Sequence, residues 1–316
     1  SGEVVAMVNQ HSFNPNNRQQ LRSSNMRNRA VTDEFEPGST KKPFIVAAAL
    51  GSDRYRPDTP VSTSPGWYRV GVNTVRDVHD YGQLDVTGII RKSSNVGISK
   101  IALSLAAESI WELLSELGFG TQTLSGFPGE VSGLLPHYSG WNAIETATLS
   151  FGYGISATPL QLAQAYAVLA TGGIKRSLSF LHDGRSAEER RVIPERIARQ
   201  VSDMLEAATG PDGTAPQARI TGYRVAGKTG TVRKSVAGGY SEDQYLAVFA
   251  GMVPASNPRL VMVVMVDEPS AGQYYGGQVA APVFARVMAG ALRLMAVPPD
   301  DLPLLQTRKT GTGESA

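Results

Sequence analysis

The chain has 316 residues, of which 41% are hydrophobic and 18% charged, and its formal net charge is +2. This composition is typical of a globular chain with a substantial core and excludes an intrinsically disordered one. The nearly balanced charge and the scattered Lys and Arg residues give no reason to expect nucleic acid as a partner. Because the sequence has no cysteine, it also excludes disulfides, thiolate metal sites and a cysteine nucleophile.

The first residues, SGEVVAMVNQ, carry neither an initiator Met nor a signal peptide. No apolar run reaches the roughly 18 residues that a membrane-spanning helix needs. We therefore expect a fragment or a mature form, with any membrane anchor of the native protein upstream of Ser1. Segment Gly2–Val8 is rich in β-branched residues and lies between Gly and Asn, which predicts a strand.

A first helix is predicted to start near Ser39 and to end at Gly51. The apolar run from Phe44 to Leu50 forms its body, and Gly51 is a C-terminal stop signal. Pro43 would lie in the first turn, where its missing N–H is tolerated because that donor has no partner within the helix.

Three later segments show the helical spacing of apolar residues. In AAESIWELLSELGFG the apolar residues share one face, and Gly118 is the stop signal. In ATPLQLAQAYAVLATGG, Thr158 is the predicted N-cap and Pro159 takes the first helical position. In PERIARQVSDMLEAATGPDG, Ile197 and Val201 belong to one apolar stripe.

The later part of the chain changes to β-rich segments. YRVAGKTGTVRK, QYLAVFAGMVPA and RLVMVVMVDEP are joined by short loops and predict an antiparallel meander. VAAPVFARVMAGALRLMA then returns to helical spacing. This order predicts an α+β fold in which the first strand returns to the later sheet. The final residues lack an apolar period, so we predict one domain over 1–303 and a disordered tail over 304–316.

A candidate nucleophile and its base lie at the start of the first predicted helix. Ser39 and Lys42 are three residues apart, which puts both side chains on one helical face. The field of a helix N-terminus stabilises an anion and disfavours a second cation, so Lys42 could accept the serine proton. The adjacent Lys41 lacks this spacing. A Ser and a Lys three residues apart at a helix start are, however, also common for purely structural reasons.

A second candidate motif is Ser93-Ser94-Asn95, in a turn before a helical segment. Such a turn usually serves only as a helix cap. In the functional alternative, Ser93 relays a proton and Asn95 holds a substrate amide.

The sequence Lys-Thr-Gly-Thr occurs twice, at Lys228–Thr231 and at Lys309–Thr312. The first copy lies in a β-rich segment, where Lys228 supplies charge and the Thr hydroxyls can bind a carboxylate. Its Gly230 lets a backbone or a ligand approach the strand closely. A half-buried strand with a Gly bulge would give the same pattern. The second copy lies in the predicted tail, so we predict chemistry only at the first.

The three motifs are more informative together than singly. Their order, on a helix start, a loop and a strand, matches the set of class A β-lactamases and penicillin-binding proteins, except that Ser94 replaces an Asp. The chain resembles the transpeptidase domain of class B penicillin-binding proteins over about Gly2 to Pro303. It is similar above all to the division-specific type, penicillin-binding protein 3 of Gram-negative bacteria, in which Ser-Ser-Asn is the usual second motif. The resemblance rests on GEVVAM, RNRAVTDEFEPGST, KSSNVGISKIA, GFGTQTLSGFPGE, FGYGISATPLQLAQAYAVLA, VAGKTGT and YYGGQVAAPVFARVMAGALRLM.

This resemblance implies a catalytic role for each motif. Ser39 would attack the peptide carbonyl of a stem peptide ending in D-Ala-D-Ala and expel the terminal D-Ala, with Lys42 as its base. An amine from a neighbouring stem peptide would resolve the acyl-enzyme. Ser93, near Lys228, would shuttle the proton to the leaving amine, and Asn95 would hold the substrate amide.

The resemblance also implies the contacts with substrate and inhibitor. Backbone N–H groups of Ser39 and Thr231 would form the oxyanion hole, and the hydroxyls of Thr229 and Thr231 would bind the carboxylate of the substrate or of a β-lactam. A β-lactam would mimic the dipeptide and leave a slowly hydrolysed acyl-enzyme. The other predicted binding residues are Ser94, Gly230, Arg233, Tyr245, Tyr274 and Tyr275. The three tyrosines could alternatively serve only to pack the strand and the turn.

The expected fold of this family is a five-stranded, mainly antiparallel sheet flanked by helices, with a helical subdomain that carries Ser93. The resemblance places the domain on the periplasmic face of the inner membrane, tethered by a transmembrane helix and a pedestal that this sequence does not include. Expected partners are stem peptides, β-lactams, a peptidoglycan glycosyltransferase and division proteins. We expect no cofactor and no metal, because the four histidines show no metal-ligand spacing.

Three alternatives share parts of this pattern. A β-lactamase also needs a residue that activates water, but the Glu-x-x-Leu-Asn segment of class A enzymes is absent, and Glu145 in NAIETATL lacks its pattern. A D,D-carboxypeptidase differs only in using water as the acceptor. A penicillin-binding sensor or scaffold is the non-enzymatic alternative, and the intact motif set argues against pure scaffolding.

Overall fold

The computed structural model describes residues 1–10, 12–17, 19, 22–182, 188–236 and 239–302. Its helices are α1 (Ser23–Met26), α2 (Arg29–Thr32), α3 (Lys42–Gly51), α4 (Val86–Lys92), α5 (Asn95–Leu103), α6 (Ala107–Leu117), α7 (Ala143–Ser150), α8 (Pro159–Ala170), α9 (Glu195–Thr209), α10 (Gly276–Val279) and α11 (Ala281–Leu294). Short 3₁₀ turns lie at Gly38–Lys41, Tyr138–Gly140 and Pro216–Ala218. Within these described ranges, no helix combines the length and the apolar character that crossing a membrane requires.

Within the described residues, the strands form three short two-stranded ladders and one larger sheet. They are β1 (Pro60–Ser62), β2 (Trp67–Val70), β3 (Asn73–Arg76), β4 (Gln83–Asp85), β5 (Ile174–Arg176), β6 (Glu189–Arg191), β7 (Ala226–Val236), β8 (Gly239–Val253) and β9 (Leu260–Asp267). The larger sheet has the order β7-β8-β9 and is antiparallel throughout. The predicted meander is therefore confirmed.

The central sheet has three strands in the described ranges, where five were expected, and Gly2–Val8 does not join it. Glu3 instead forms a single parallel bridge with Ser179. Val5 and Val8 are 74% and 86% exposed, so these apolar side chains do not pack against the sheet. Strand propensity describes how a residue fits a pleated, half-buried surface and does not by itself select a partner.

The predicted helices are confirmed, with one adjustment at the first. Ser39 lies in the 3₁₀ turn, and the α-helix proper begins at Lys42, as is frequent at helix starts. Helix α8 has a full capping box, in which Thr158 and Gln161 bond each other's backbone N–H groups. Helix α6 ends at Gly118, whose φ of +106° lies in the left-handed region that favours glycine.

Strand β8 separates two apolar layers, because successive side chains point to opposite faces of a sheet. On one face Val248 and Ala250 belong to the main core, which also contains Phe44 of α3. On the other face Phe249 packs on Phe284 of α11, with ring centroids 4.9 Å apart. The sheet is thus sandwiched between helices, which confirms the α+β class.

Helices α4 to α7 and the small ladders β1–β4 and β2–β3 form a mainly helical part of the molecule. Helix α4 packs on α9, and α5 packs on α3 and α7. This packing places the junction between α4 and α5 beside the start of α3, where the candidate chemistry lies.

Candidate active site

The 3₁₀ turn Gly38–Lys41, here called the Ser39 turn, is held close to the chain after α7. The N–H of Gly38 donates to the carbonyl of Gly152 at 3.2 Å. A Cβ added at Gly152 would lie only 2.2 Å from the Gly38 oxygen, so a side chain would push the two segments apart. The turn leaves Ser39 partly exposed, while Thr40 and Lys41 point into the core.

The segment Lys228–Thr231 of β7, here called the strand wall, lies against the Ser39 turn. A Cβ on Gly230 would meet Cγ2 of Thr40 at 3.1 Å and the carbonyl oxygen of Pro37 at 3.2 Å. Gly230 therefore permits the close approach that was predicted for this position. The structure brings the first and third motifs together.

The second motif forms the junction between α4 and α5, here called the Ser-Asn corner (Ser93–Asn95). Ser93 is the C-cap of α4 with φ +61°, a left-handed conformation that is uncommon for a residue with a side chain. Asn95 is the first residue of α5. This sharp change of direction leaves the side chain of Ser93 against Lys228 of the strand wall and that of Asn95 against Lys42.

Two lysines connect the three motifs. Lys42 Nζ donates to Oδ1 of Asn95 at 2.8 Å and to Oγ of Ser93 at 3.2 Å. Lys228 Nζ donates to the same Ser93 Oγ at 2.9 Å. The hydroxyl of Ser93 thus lies between two amines, one from α3 and one from the strand wall. This is the arrangement that a proton relay requires.

Both lysines have pKa values below the usual range. Burial of the ammonium lowers the pKa of Lys42 well below its ordinary value, and the nearby Lys228 charge lowers it further, while the Asp77 carboxylate opposes the shift. Burial lowers the pKa of Lys228 to about 7. A neutral amine is therefore accessible near neutral pH, and a neutral amine can act as a base.

Asp77 holds the Ser-Asn corner in place, and sequence reasoning missed it. Its carboxylate accepts hydrogen bonds from the Ser94 hydroxyl at 2.5 Å, the N–H of Asn95 at 2.5 Å and the N–H of Val96 at 3.0 Å. A carboxylate at a helix start satisfies N–H groups that have no partner within the helix. Asp77 lies in the loop after β3, so no local signal connects it with α5.

Ser94 was predicted to bind ligand, and the structure corrects this. Its side chain is fully buried, with 0% exposure. Its hydroxyl donates to Asp77 and accepts from the N–H of Gly97 at 2.8 Å, so it is the N-cap of α5. The middle residue of the second motif therefore supports Asn95 and does not face the cleft.

The threonines of the strand wall have partners that the sequence did not suggest. The Thr229 hydroxyl donates to the Thr214 hydroxyl at 3.0 Å. The Thr231 hydroxyl accepts from the N–H of Gly276 at 3.0 Å, which leaves its own proton free to donate. A Cβ on Gly276 would lie 2.4 Å from the oxygen of Gly230, so a glycine is needed there.

The predicted aromatic rim forms one cluster. Tyr245 stacks on Tyr274 with centroids 4.3 Å apart, and Tyr274 contacts Tyr275 at 4.6 Å. Arg233 is exposed on β7 and pairs in register with Tyr245 of β8. The structure thus brings Arg233 and the three tyrosines to one edge of the cleft, and their contacts with a ligand stay a prediction.

The family model of the penicillin-binding protein transpeptidase domain matches residues 1–289. The chain belongs to this family. It is 45% identical over 302 residues to the peptidoglycan D,D-transpeptidase FtsI of Escherichia coli, covering 96% of this chain and 51% of the relative. It is 44% identical to the probable peptidoglycan D,D-transpeptidase PbpC of Pseudomonas aeruginosa, covering 96% of this chain and 54% of the relative.

Among solved structures, the transpeptidase (TP) domain of Burkholderia pseudomallei penicillin-binding protein 3, in its apo form, superposes with a TM-score of 0.84 at 42% identity. The match covers 88% of this chain and 84% of that chain. The penicillin-binding fold predicted from the motifs is therefore confirmed. This transpeptidase domain spans about half the length of the curated relatives that it matches.

Proposed function

We propose that this domain cross-links peptidoglycan stem peptides through an acyl-enzyme on Ser39, and that β-lactams inhibit it by acylating the same hydroxyl. The observation that carries this proposal is the hydroxyl of Ser93 held between Lys42 and Lys228, beside the Ser39 turn. The names of the Escherichia coli and Pseudomonas aeruginosa relatives support the same reaction.

Acylation begins with removal of the Ser39 proton. Lys42, in the neutral form that its burial favours, takes this proton as Ser39 Oγ attacks the carbonyl carbon of the penultimate D-Ala. The carbonyl oxygen becomes an oxyanion, which the backbone N–H groups of Ser39 and Thr231 stabilise. Each such donor lowers the barrier by roughly 3–4 kcal/mol in serine proteases.

Collapse of the tetrahedral intermediate requires a proton on the leaving nitrogen. The proton on Lys42 passes to Ser93 Oγ, and Ser93 gives its own proton to the nitrogen of the terminal D-Ala, which leaves. Lys228 donates a hydrogen bond to Ser93 Oγ. This bond stabilises the negative charge on Ser93 Oγ when the oxygen has lost its own proton, before it receives the proton from Lys42. The carbon–nitrogen bond breaks, and the Ser39 ester remains.

The second half-reaction runs the same path in reverse. An amine of a neighbouring stem peptide attacks the ester, its proton returns through Ser93 and Lys42, and Ser39 Oγ leaves as a hydroxyl. Asn95 holds the substrate amide with the Nδ2 hydrogen that it does not use on the Arg76 carbonyl. Thr229 and Thr231 bind the terminal carboxylate of the donor.

The deciding experiment is intact mass after incubation with penicillin, followed by peptide mapping. We expect one penicilloyl adduct on Ser39 and no adduct in Ser39→Ala. An adduct at another residue would overturn the proposal. Sustained turnover of nitrocefin, instead of a single burst, would identify a β-lactamase, and release of D-Ala without an amine product would identify a carboxypeptidase.

We further propose that the complete protein works on the periplasmic face of the inner membrane in septal wall synthesis. Its partners there would be a peptidoglycan glycosyltransferase and division proteins. The penicillin-binding protein 3 likeness supports this setting. Depletion of the full-length protein in its own cells tests it: filamentation is expected, and loss of rod shape without filamentation would contradict the septal role.

A further inference from the structure

Both ends of the Ser39 turn bind the same short segment at the end of α7. At one end the N–H of Gly38 donates to the carbonyl of Gly152 at 3.2 Å. At the other end Lys41 Nζ donates to the carbonyl of Leu149 at 2.8 Å. Ser39 lies between these two contacts, so the segment from Leu149 to Gly152 clamps the turn from one side.

Lys41 is an unusual residue for such a position. Its side chain is fully buried, and no carboxylate of the described residues lies within ion-pair distance. Burial lowers the pKa of Lys41 well below its usual range, which favours a neutral amine that can still donate a hydrogen bond. An apolar side chain of the same length would avoid the cost of burying this polar group.

Helix α7 also packs against α5, the helix that begins at the Ser-Asn corner. Val96 of α5 and Ala147 of α7 are both fully buried in one apolar cluster. Ser99 Oγ of α5 contacts the carbonyl of Ala147 at 3.4 Å. Since α5 begins at Asn95, α7 is packed on one side against the helix that positions Asn95 and is bonded on the other to the Ser39 turn.

We infer that Lys41 is a positioning residue: its bond to Leu149 fixes the Ser39 turn on α7 and so sets the separation between Ser39 and the Ser-Asn corner. Lys41 touches neither the substrate nor the reacting atoms. The inference rests on the proposed acylation of Ser39. It assigns a function to the lysine that the Ser-x-x-Lys spacing leaves out.

The test is Lys41→Met, which keeps the length of the side chain and removes the donor. The acylation rate constant k2 and the non-covalent dissociation constant K are measured separately with penicillin by stopped flow. We expect k2 to fall about ten-fold, because small displacements of a nucleophile cost rate, while K is unchanged. The Tm should stay equal or rise, since Leu149 keeps the N–H of Gly152 as a donor at 3.0 Å.

Lys175→Met is the matched control. Lys175 Nζ donates to the carbonyl of Glu116 at 3.1 Å near the end of α6, and neither residue belongs to the Ser39 turn or to the segment that binds it. The same chemical change there should leave k2 and K as they are. Unchanged k2 in Lys41→Met would overturn the inference, and so would a k2 loss that comes with a lower Tm or failure to fold, which would mean a packing role. Absence of Ser39 acylation in the unmodified protein would instead refute the proposed function.

Discussion

The two sides of the cleft are built in different ways. The strand wall is part of a long antiparallel ladder, in which Lys228 pairs with Ala250 and Thr231 with Ala247. The Ser-Asn corner has no ladder and depends on the Asp77 carboxylate, which receives three hydrogen bonds. The wall is supported by many backbone contacts, whereas at the corner a single side chain accepts hydrogen bonds from both Ser94 and Asn95.

Single substitutions should therefore have different effects on the two sides of the cleft. Loss of one hydroxyl on the wall leaves the ladder bonds in place, because backbone groups make them. At the corner, loss of the Ser93 hydroxyl removes the proton carrier that the two lysines share, and loss of the Asp77 carboxylate removes the group that anchors the corner. We therefore expect large effects on the acylation rate at the corner, and effects on binding alone at the threonine hydroxyls of the wall.

The largest effect is expected at Ser93. Ser93→Ala removes the hydroxyl that Lys42 and Lys228 share and should lower k2 with penicillin by about 10²- to 10⁴-fold, the range of general acid–base catalysis. Ser93→Gly removes the same hydroxyl and also relieves the cost of φ +61°. Stopped-flow acylation and thermal unfolding would be measured on both variants.

We expect the two Ser93 variants to be equally slow and the glycine variant to have the higher Tm. Equal k2 with different Tm would separate the chemistry of the hydroxyl from the strain of the backbone. A glycine variant that acylates at the original rate would show that the hydroxyl carries no proton, and the relay would then be wrong.

The next effect is expected at Asp77. Asp77→Asn keeps the shape but weakens the bonds to Ser94 and Asn95, so k2 should fall about ten-fold. Burial and Lys228 lower the pKa of Lys42, and only Asp77 raises it. Removing the Asp77 charge therefore lowers this pKa further. Since the neutral amine is the active form, the acid limb of the pH profile of k2/K should move to lower pH.

Asp85→Asn is the control for this shift. Asp85 also accepts at a helix start, from the N–H of Gly88 at 2.6 Å, but it lies at the other end of α4 from the corner. Its substitution should leave the acid limb in place. An acid limb that moves to higher pH in Asp77→Asn would contradict the assigned base, because loss of a negative charge cannot raise the pKa of an amine.

The contrast between the two sides also explains how much the sequence could predict. Strand β7 and its Lys-Thr-Gly residues follow from a β-rich run with short connections, so the wall could be placed beforehand. Helix α8 was recognised from Thr158 and Pro159, which act within one turn. Such signals are local, and local signals survive in a single sequence.

The corner could not be predicted in the same way. Asp77 bonds Ser94 across an intervening ladder and helix, and no cap rule reaches over that distance. Ser94 was misplaced for the same reason, since its burial depends on this partner. Gly2–Val8 shows the opposite case. Its residues favour a strand locally, but no partner strand among the described residues makes the segment part of the sheet.

A smaller effect is expected at Thr229 on the wall. Thr229→Val keeps the volume and the ladder but loses a hydroxyl that would bind the ligand carboxylate. K for penicillin should rise about three- to ten-fold, the worth of one hydrogen bond, while k2 is unchanged. Thr214→Val, which removes only the partner of Thr229, should change K less. A fall in k2 at Thr229 would mean that this hydroxyl also positions the reacting atoms.

The smallest effect is expected at the second Lys-Thr-Gly-Thr, Lys309–Thr312, which lies outside the described residues. The motif can act only where a strand presents it beside the Ser39 turn, as the wall does through Gly230. The sequence around Lys309 has no apolar period that would build such a strand. Deletion of everything after Pro303 should therefore leave k2, K and Tm unchanged. A loss of acylation in the shortened chain would mean that this second copy contributes to the cleft. The strand wall would then form only part of that side of the cleft.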